Sequence, residues 1–452
     1  MRIKLGMPMS LGEISVAVGG SCDLRLKSGI VNFITTDTRE LLRGDLYIAI
    51  KGSRYDGEEF SKTAEEMGAS VLSTKKGAKY ITVEDTNAAL LRLASYYKAY
   101  LIALRETVGV TGSVGKSTTK EFLSAICGQH RKVFKSYGNF NNNIGLPLSI
   151  LSADRASEIM VLEMGMNAPG EIRTLAACAT PDIAVITNIG SSHIGNLGSR
   201  ENIAKAKLEI TSEESVNHVI VPKAEPLLAS CVKRHTFSET DTSADTAVIG
   251  NGDGTVRVYF DGAYAFSSKF RPIGKHFISC LAAAVASARL ANIPLEAIKI
   301  GISHISDNNI RQKLIPVKSF YVLDDSYNAS YESIAADLAL IRSEIGYTAR
   351  SALLGSVLEL GKHSTKIHYE IGALAARTGL DRLYLFGEYS LDMADGAESA
   401  GMSPERIFIN SDPSLPEITA EQILKHTVQG EIILFKASNA IRLSRVLDLV
   451  NN

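Results

Sequence analysis

The sequence predicts an α/β protein of three domains, and three observations carry that prediction. Short apolar runs alternate with helical stretches through most of the chain, the texture of those runs changes twice, and 452 residues exceed what one hydrophobic core organises. Residues 1–84 mix short strand-like runs such as DLYIAI (45–50) with turn residues and one helical stretch near SKTAEEMGA. Between 85 and 312, the runs ETVGVT, EIMVLEMG, DIAVITNIG and HVIVP are separated by helical segments, the pattern of a parallel sheet with covering helices. GNGDGT (250–255) marks a hairpin excursion within that region. From 313 to 452, SFYVLDDSY, SALLGSV, RLYLFGE and EIILFKAS are four more buried-type strands between helices, which predicts a second, Rossmann-like sheet.

Composition narrows the function classes. With 48 basic against 49 acidic residues, no charge excess points to nucleic acid or an anionic membrane. Cys22, Cys127, Cys178, Cys231 and Cys280 are odd in number and form no C-x-x-C pair, which suits reduced thiols better than a disulfide framework or a structural zinc site. The basic N-terminus is interrupted by Glu13 before a signal-peptide core forms, and no run of about 18 apolar residues exists. A cytoplasmic protein working as a monomer is the expectation.

The chemistry is concentrated in ETVGVTGSVGKSTTKEF (106–122). Gly112 and Gly115 permit a backbone in which the N–H groups of Thr111, Ser113 and their neighbours converge on a phosphate. Lys116 supplies a mobile charge for the outer phosphates, Ser117 a hydroxyl for Mg²⁺, and the helix through Thr118 points its positive end at the same spot. The common G-x-x-x-x-G-K-[ST] pattern fails by one position, since Val110 stands where glycine is wanted and Gly109 is out of register. The plain alternative is a glycine-containing strand-to-helix turn with a surface lysine.

TGSVGKSTTKEF resembles the T-G-x-x-G-K-[ST]-[ST] loop of the Mur ligase family, the ATP-dependent amino-acid-adding enzymes of bacterial cell-wall synthesis. Thr119-Lys120-Glu121 is most similar to the branch that adds D-alanyl-D-alanine to UDP-N-acetylmuramoyl tripeptide. VLEMGMNAPGEI and TNIGSSHIGNLGSRENIAKAKLEI look like the family's two central blocks, in which the glutamate and histidine, here Glu163 and His193, belong to the Mg²⁺ site with Ser117. The resemblance also implies a lysine carbamylated by CO₂. Spacing to Leu208 favours Lys205, with Lys207 the runner-up. A carbamate attracts a metal that an ammonium would repel.

Other blocks agree. GNFNNNIGLPLSIL (138–151) resembles G-N-x-N-N-x-I-G-x-P, which implies Asn142 and Gly145 at the active-site crevice. LDDSYNAS (323–330) is similar to D-S-Y-N-A-N-P, implying that Asp325, Tyr327 and Asn328 close over ATP, although Ser330 and Tyr331 replace the final Asn-Pro. Arg311 matches an inter-domain arginine that implies a γ-phosphate contact, and GSVLELGKHSTKIHYEIG (355–372) brings Glu359, Gly361 and His368. The chain departs from the family at Phe277 and Cys280, where asparagines are usual, the second on the adenine side. It departs again at Ala437 and Asn439, in place of glycine and arginine.

TTDTRELLRGDLYIAIKGSRYDGEEF (35–60) resembles the family's block for the uridine diphosphate end of the precursor, which implies roles for Asp37, Thr38, Arg39, Lys51 and Gly52. That block excludes folylpolyglutamate synthase, which shares the ATP core without this domain. The implied activity is formation of one amide bond through an acyl phosphate. Two alternatives remain open at this point. A ligase of the diamino-acid-adding branch is one, though no D-N-P-R motif is present. A paralogue that binds precursor without turning over ATP is the other.

Overall fold

The computed structural model describes residues 1–52, 55–100, 103–270, 274–306, 312–343 and 346–451. Its strands form three sheets of five, nine and six members among the described residues. In the first, Arg2–Ser10 pairs antiparallel with Ile30–Thr35, and Leu46–Ile48, Ser70–Ser73 and Tyr80–Thr82 continue it in parallel.

The nine-stranded sheet carries the phosphate loop at its centre. Glu106–Thr111 lies between Ile159–Glu163 and Ile183–Ile186, all parallel, with Val133–Lys135 beyond the first neighbour. His218–Pro222, Arg234–Ser238 and Thr246–Gly250 extend the parallel run on the other side. The predicted hairpin follows: Thr246–Gly250 turns through Gly252 and Gly254, both at positive φ, into antiparallel Thr255–Phe260 and Ala263–Lys269. The strands read as unbroken apolar runs because both sheet faces are covered. Val108, Val110, Val161 and Val185 face the helices Lys116–Cys127, Lys275–Leu290 and Leu295–His304, while Met160, Leu162, Ala184 and Ile186 face the other way.

That second face is not closed by the central region alone. The helix Thr86–Ala99, capped by Asp85 accepting from Ala88 N at 2.9 Å, places Ala89, Leu90, Leu93, Ala94 and Tyr97 on one stripe. The stripe joins the N-terminal sheet and the helices Gly145–Leu151 and Glu171–Ala179 in one continuous core. Polar bonds cross the same junction. Tyr97 Oη donates to Ala153 O at 2.7 Å, Ser95 Oγ to Cys178 O at 3.0 Å, and Lys98 Nζ to Thr180 O at 3.0 Å.

The third sheet begins with antiparallel Lys313–Val317 and Phe320–Asp324 and continues in parallel through Ile432–Lys436, Arg350–Gly355, Arg382–Phe386 and Ile407–Asn410. It has its own cores on its two faces, Leu354, Leu385 and Leu434 on one and Leu353, Tyr384 and Phe435 on the other.

Candidate active site

The phosphate loop leaves the central strand at Thr111 and turns into the helix Lys116–Cys127. Gly112 (φ +147°) has no room for a side chain, since a Cβ would lie 1.8 Å from Thr187 Oγ1. Gly115 (φ +81°) precedes a helix that no side chain caps, which leaves its first N–H groups for an anion. Asn188 Oδ1 braces the loop by accepting from Ser113 N and Val114 N at 3.0 Å each, and Thr187 Oγ1 donates to Val114 O at 2.5 Å. Lys116 Nζ folds back onto the carbonyls of Gly112 (2.7 Å) and Ser113 (3.2 Å). Gly109, out of register for the common motif, is an ordinary strand residue facing Ile210 and Met164.

Glu163 ends the neighbouring strand and is almost fully buried beside this loop. Ser117 Oγ donates to its Oε2 at 2.6 Å, and Asn141 Nδ2 to its Oε1 at 2.9 Å. Lys120, also buried, lies 3.8 Å from Oε2 and donates to Ser136 O and Gly138 O at 2.9 and 3.0 Å. His193 follows the strand Ile183–Ile186 in a left-handed conformation (φ +66°). The strands of Glu163 and His193 are not neighbours; they flank the phosphate-loop strand on either side. A hydroxyl and a carboxylate meeting at the phosphate loop form the hard oxygen set that suits Mg²⁺. Among the described residues no cluster of three His, Cys, Asp or Glu exists.

The two candidate lysines separate cleanly. They lie two positions apart on the helix Arg200–Leu208 and so point to opposite sides. Lys205, favoured by spacing, is exposed, while Lys207 is buried. Burial, with the Lys116 charge adding to it, holds the Lys207 amine well below its ordinary pKa. Asn142, expected in the crevice, spends its side-chain oxygen on its own turn, accepting from Ile144 N and Gly145 N at 3.1 and 2.8 Å. Its neighbour Asn141 makes the contact with Glu163.

The C-terminal sheet brings its loops against this site. Gly195 N donates to Glu359 O at 3.1 Å, and Ser191 N donates to Glu332 Oε1 at 2.7 Å. Lys436 is paired with Asp325 and, at 2.8 Å, with Asp337. Burial pushes the Asp325 carboxyl up to about 6 against the pull of Lys436. His276, at the start of the helix Lys275–Leu290, feels burial and the Lys436 charge, which push it down to about 4. Tyr327 and Asn328 are exposed, and Asn439 Nδ2 donates to Tyr327 O at 3.1 Å. Arg311 lies outside the described residues.

Comparison with known proteins agrees with this arrangement. The Mur ligase middle domain matches residues 110–288, and the Mur ligase family catalytic domain matches residues 30–98. The UDP-N-acetylmuramoyl-tripeptide--D-alanyl-D-alanine ligase of Bacillus subtilis is 36% identical over 436 residues, 94% of each chain. The chain belongs to the Mur ligase family. The ligase of the same description from Synechocystis sp. is 33% identical over 92% of this chain and 91% of its own. MurF ligase from Thermotoga maritima, solved in complex with ADP, is similar with a TM-score of 0.79 over 92% of this chain and 96% of that one, at 29% identity. MurF from Acinetobacter baumannii reaches a TM-score of 0.87 over the whole of both chains at 24% identity, a likeness of fold.

Against the Mur ligase pattern, the departures have structural explanations. Phe277 and Cys280 belong to the apolar core, Phe277 tilted against Phe122 at 6.3 Å. The Cys280 thiol donates to Gly115 O at 3.8 Å, and burial pushes its pKa up to about 12. Ser330, in place of asparagine, keeps the turn: its Oγ accepts from Ser333 N at 3.2 Å at the start of the helix Tyr331–Ser343. His368 is fully buried, accepts from Val357 N at 2.9 Å and stacks on Tyr389, so it shapes a loop rather than meeting a substrate. At the N-terminal sheet, paired strands Ile30–Thr35 and Leu46–Ile48 end side by side, so the turn Asp37–Thr38–Arg39 and the stretch Lys51–Gly52 leave from one edge. Arg39 pairs with Asp37 at 2.5 Å yet stays 86% exposed, with guanidinium surface left for an anion. Asn188, Lys120 and Glu332 went unnoticed in the sequence as site residues, and within the asparagine cluster of Asn139 and Asn141 to Asn143 it is Asn141, not the favoured Asn142, that reaches Glu163. Lys120 carries the one available signal, since it lies one helical turn beyond Lys116.

Proposed function

We propose that this chain is the ATP-dependent ligase that joins D-alanyl-D-alanine to UDP-N-acetylmuramoyl tripeptide, acting as a monomer in the cytoplasm. The supporting observation is likeness to ligases of that description over nearly the full length, N-terminal sheet included. The precursor's diphosphate lies at Arg39, Lys51 and Gly52, with Asp37 and Thr38 shaping the turn. ATP lies on the loop from Thr111 to Thr118, with Asp325, Tyr327 and Asn328 closing from the C-terminal side and Arg311 reaching the γ-phosphate.

The reaction needs no enzyme nucleophile. A carboxylate oxygen of the tripeptide attacks the γ-phosphorus, and the bond to the β,γ-bridging oxygen breaks, giving an acyl phosphate and ADP. The amine of D-alanyl-D-alanine then attacks the acyl carbon, phosphate leaves, and the amine proton passes to solvent. The chain contributes position and charge. Lys116 turns from its own loop carbonyls to the transferring phosphoryl group. The uncapped helix start at Gly115 adds N–H donors. Ser117, Glu163 and His193 would hold Mg²⁺, which when bound neutralises phosphate charge.

We assign the carbamylated position to Lys207 rather than Lys205. Carbamylation needs a neutral amine, which adds to CO₂ and releases a proton, and only Lys207 combines burial with a strongly depressed pKa. The resulting carbamate also replaces a repulsion from Lys116 with an attraction.

Phosphate release with ATP, Mg²⁺, UDP-N-acetylmuramoyl tripeptide and D-alanyl-D-alanine, omitting each in turn, tests the reading. Release requiring all four is expected. Release with a diamino acid and the dipeptide precursor would move the chain to the neighbouring branch, and no release from any mixture would make it a non-catalytic binder.

A further inference from the structure

We propose that Glu359 of the C-terminal domain is a positioning residue for His193, so that the central domain's metal ligands are correctly aimed only when the two domains meet. The inference deepens the ligase reading and rests on it. His193 Nδ1 lies 2.5 Å from Glu359 Oε2 across the domain boundary. The carboxylate faces Nδ1 as a close charge partner without hydrogen-bond geometry, and its charge favours the tautomer protonated there, which leaves the Nε2 lone pair for a cation, as outer carboxylates do for metal-binding histidines.

Three further features mark this contact as built. Both partners are non-glycine residues in the left-handed region, His193 at φ +66° and Glu359 at φ +65°. That conformation costs energy in a histidine or a glutamate and is tolerated where the surrounding structure imposes it. Here the strain falls on both sides of one interdomain pair. The flanking backbones interlock as well: Gly195 N donates to Glu359 O at 3.1 Å, and Gly195 packs so closely on Gly361 that its backbone leaves no room for a side chain. Finally, the Glu359 loop is pinned from its own domain. Val357 N donates to His368 Nε2 and Leu358 N to Ser438 Oγ, both at 2.9 Å, so the carboxylate is offered on a fixed support.

A second carboxylate of the same domain, Glu332, takes the other end of the loop through Ser191 N (2.7 Å) and Ser191 Oγ (3.2 Å). Glu332 fixes the loop at Ser191, whereas Glu359 reaches the imidazole. Closure therefore supplies the central site with the orientation of one of its own ligands.

The test compares the parent chain with Glu359→Gln and Glu359→Ala. Mn²⁺ serves as the spectroscopic probe, its binding followed by electron paramagnetic resonance in the presence of ADP and UDP-N-acetylmuramoyl tripeptide. Weaker Mn²⁺ binding is expected, at least threefold for Glu359→Gln and tenfold for Glu359→Ala, with KM for ATP unchanged and kcat reduced. Mn²⁺ affinity within twofold of the parent in Glu359→Ala overturns the proposal. If the alanine variant fails to fold, the isosteric glutamine variant decides by the same twofold criterion. Phosphate release by the parent chain is measured alongside: no release there refutes the ligase reading, while release with unaltered variants refutes only the role of Glu359.

Discussion

Replacing Gly195 by alanine isolates domain closure from every other property of the site. Gly195 sits in the short helix Ile194–Leu197, where a methyl group is compatible with the local backbone. In this structure, however, the new Cβ would lie 2.5 Å from Gly361 N and 2.6 Å from Glu359 O, where ordinary contact begins at 3.4 Å. The obstructing atoms are backbone of the opposite domain, so no side chain can rotate away. The overlap is relieved by separating the domains. Overpacking of this kind costs about 1–3 kcal/mol, which lowers the closed population roughly 5- to 150-fold. If turnover passes through this interdomain contact as proposed, kcat for phosphate release falls within that range. ADP binding to the central domain, measured by calorimetry, is expected to stay within twofold, and the thermal midpoint to hold within about a degree, since neither core is touched. A kcat within twofold of the parent would refute the claim that turnover passes through the contact of Gly195 with Glu359 and Gly361.

Lys207→Ala is expected to lose activity and to regain part of it with small carboxylic acids, whereas Lys205→Ala stays near the parent rate. The reverse pattern in the same phosphate-release assay would return the modification to Lys205. The parent enzyme is expected to slow in CO₂-depleted buffer and recover with bicarbonate, since burial lowers the Lys207 pKa and so favours the neutral amine that adds CO₂. Tyr97→Phe removes a buried donor from Ala153 O and is expected to cost about 1–3 kcal/mol in urea unfolding, with activity per folded molecule unchanged. Thiol labelling of the native protein is expected at Cys22 and Cys231 and not at Cys127, Cys178 or Cys280. The last three are buried, and burial raises the Cys127 and Cys280 thiols to about 12 and Cys178 to about 11. Peptide mapping after brief alkylation checks this.

What the sequence disclosed divides by physical origin. The phosphate loop, Glu163 and the long parallel strands were legible because each is written in contiguous residues: glycines with special φ, apolar runs buried on both faces, a helix start. Strands such as Ile407–Asn410 and Lys313–Val317 were not, being short edge members whose exposed faces break the apolar pattern. Lys205 and Lys207 show a second limit. Two residues of one kind on one helix differ only in phase, and spacing to Leu208 could not supply the phase that burial reveals. Asn141 and Asn142 repeat the lesson in a loop, where neighbours point to different partners. Contacts such as His193 with Glu359 join residues 166 positions apart and have no local signature at all.

The core shared by the first two sheets has a consequence for how the chain can be divided. The helix Thr86–Ala99 gives one side to the N-terminal helix Leu11–Val18 and another to Gly145–Leu151 and Glu171–Ala179, so a cut at residue 84 would strip apolar cover from both halves. The first two-thirds of the molecule should therefore melt as one cooperative unit and resist expression as separate fragments. The last third, whose two cores lie on the faces of its own sheet, is the piece suited to fold alone. A two-step denaturation curve, with the smaller step reproduced by residues 313–452 by themselves, is the signature such an architecture would leave.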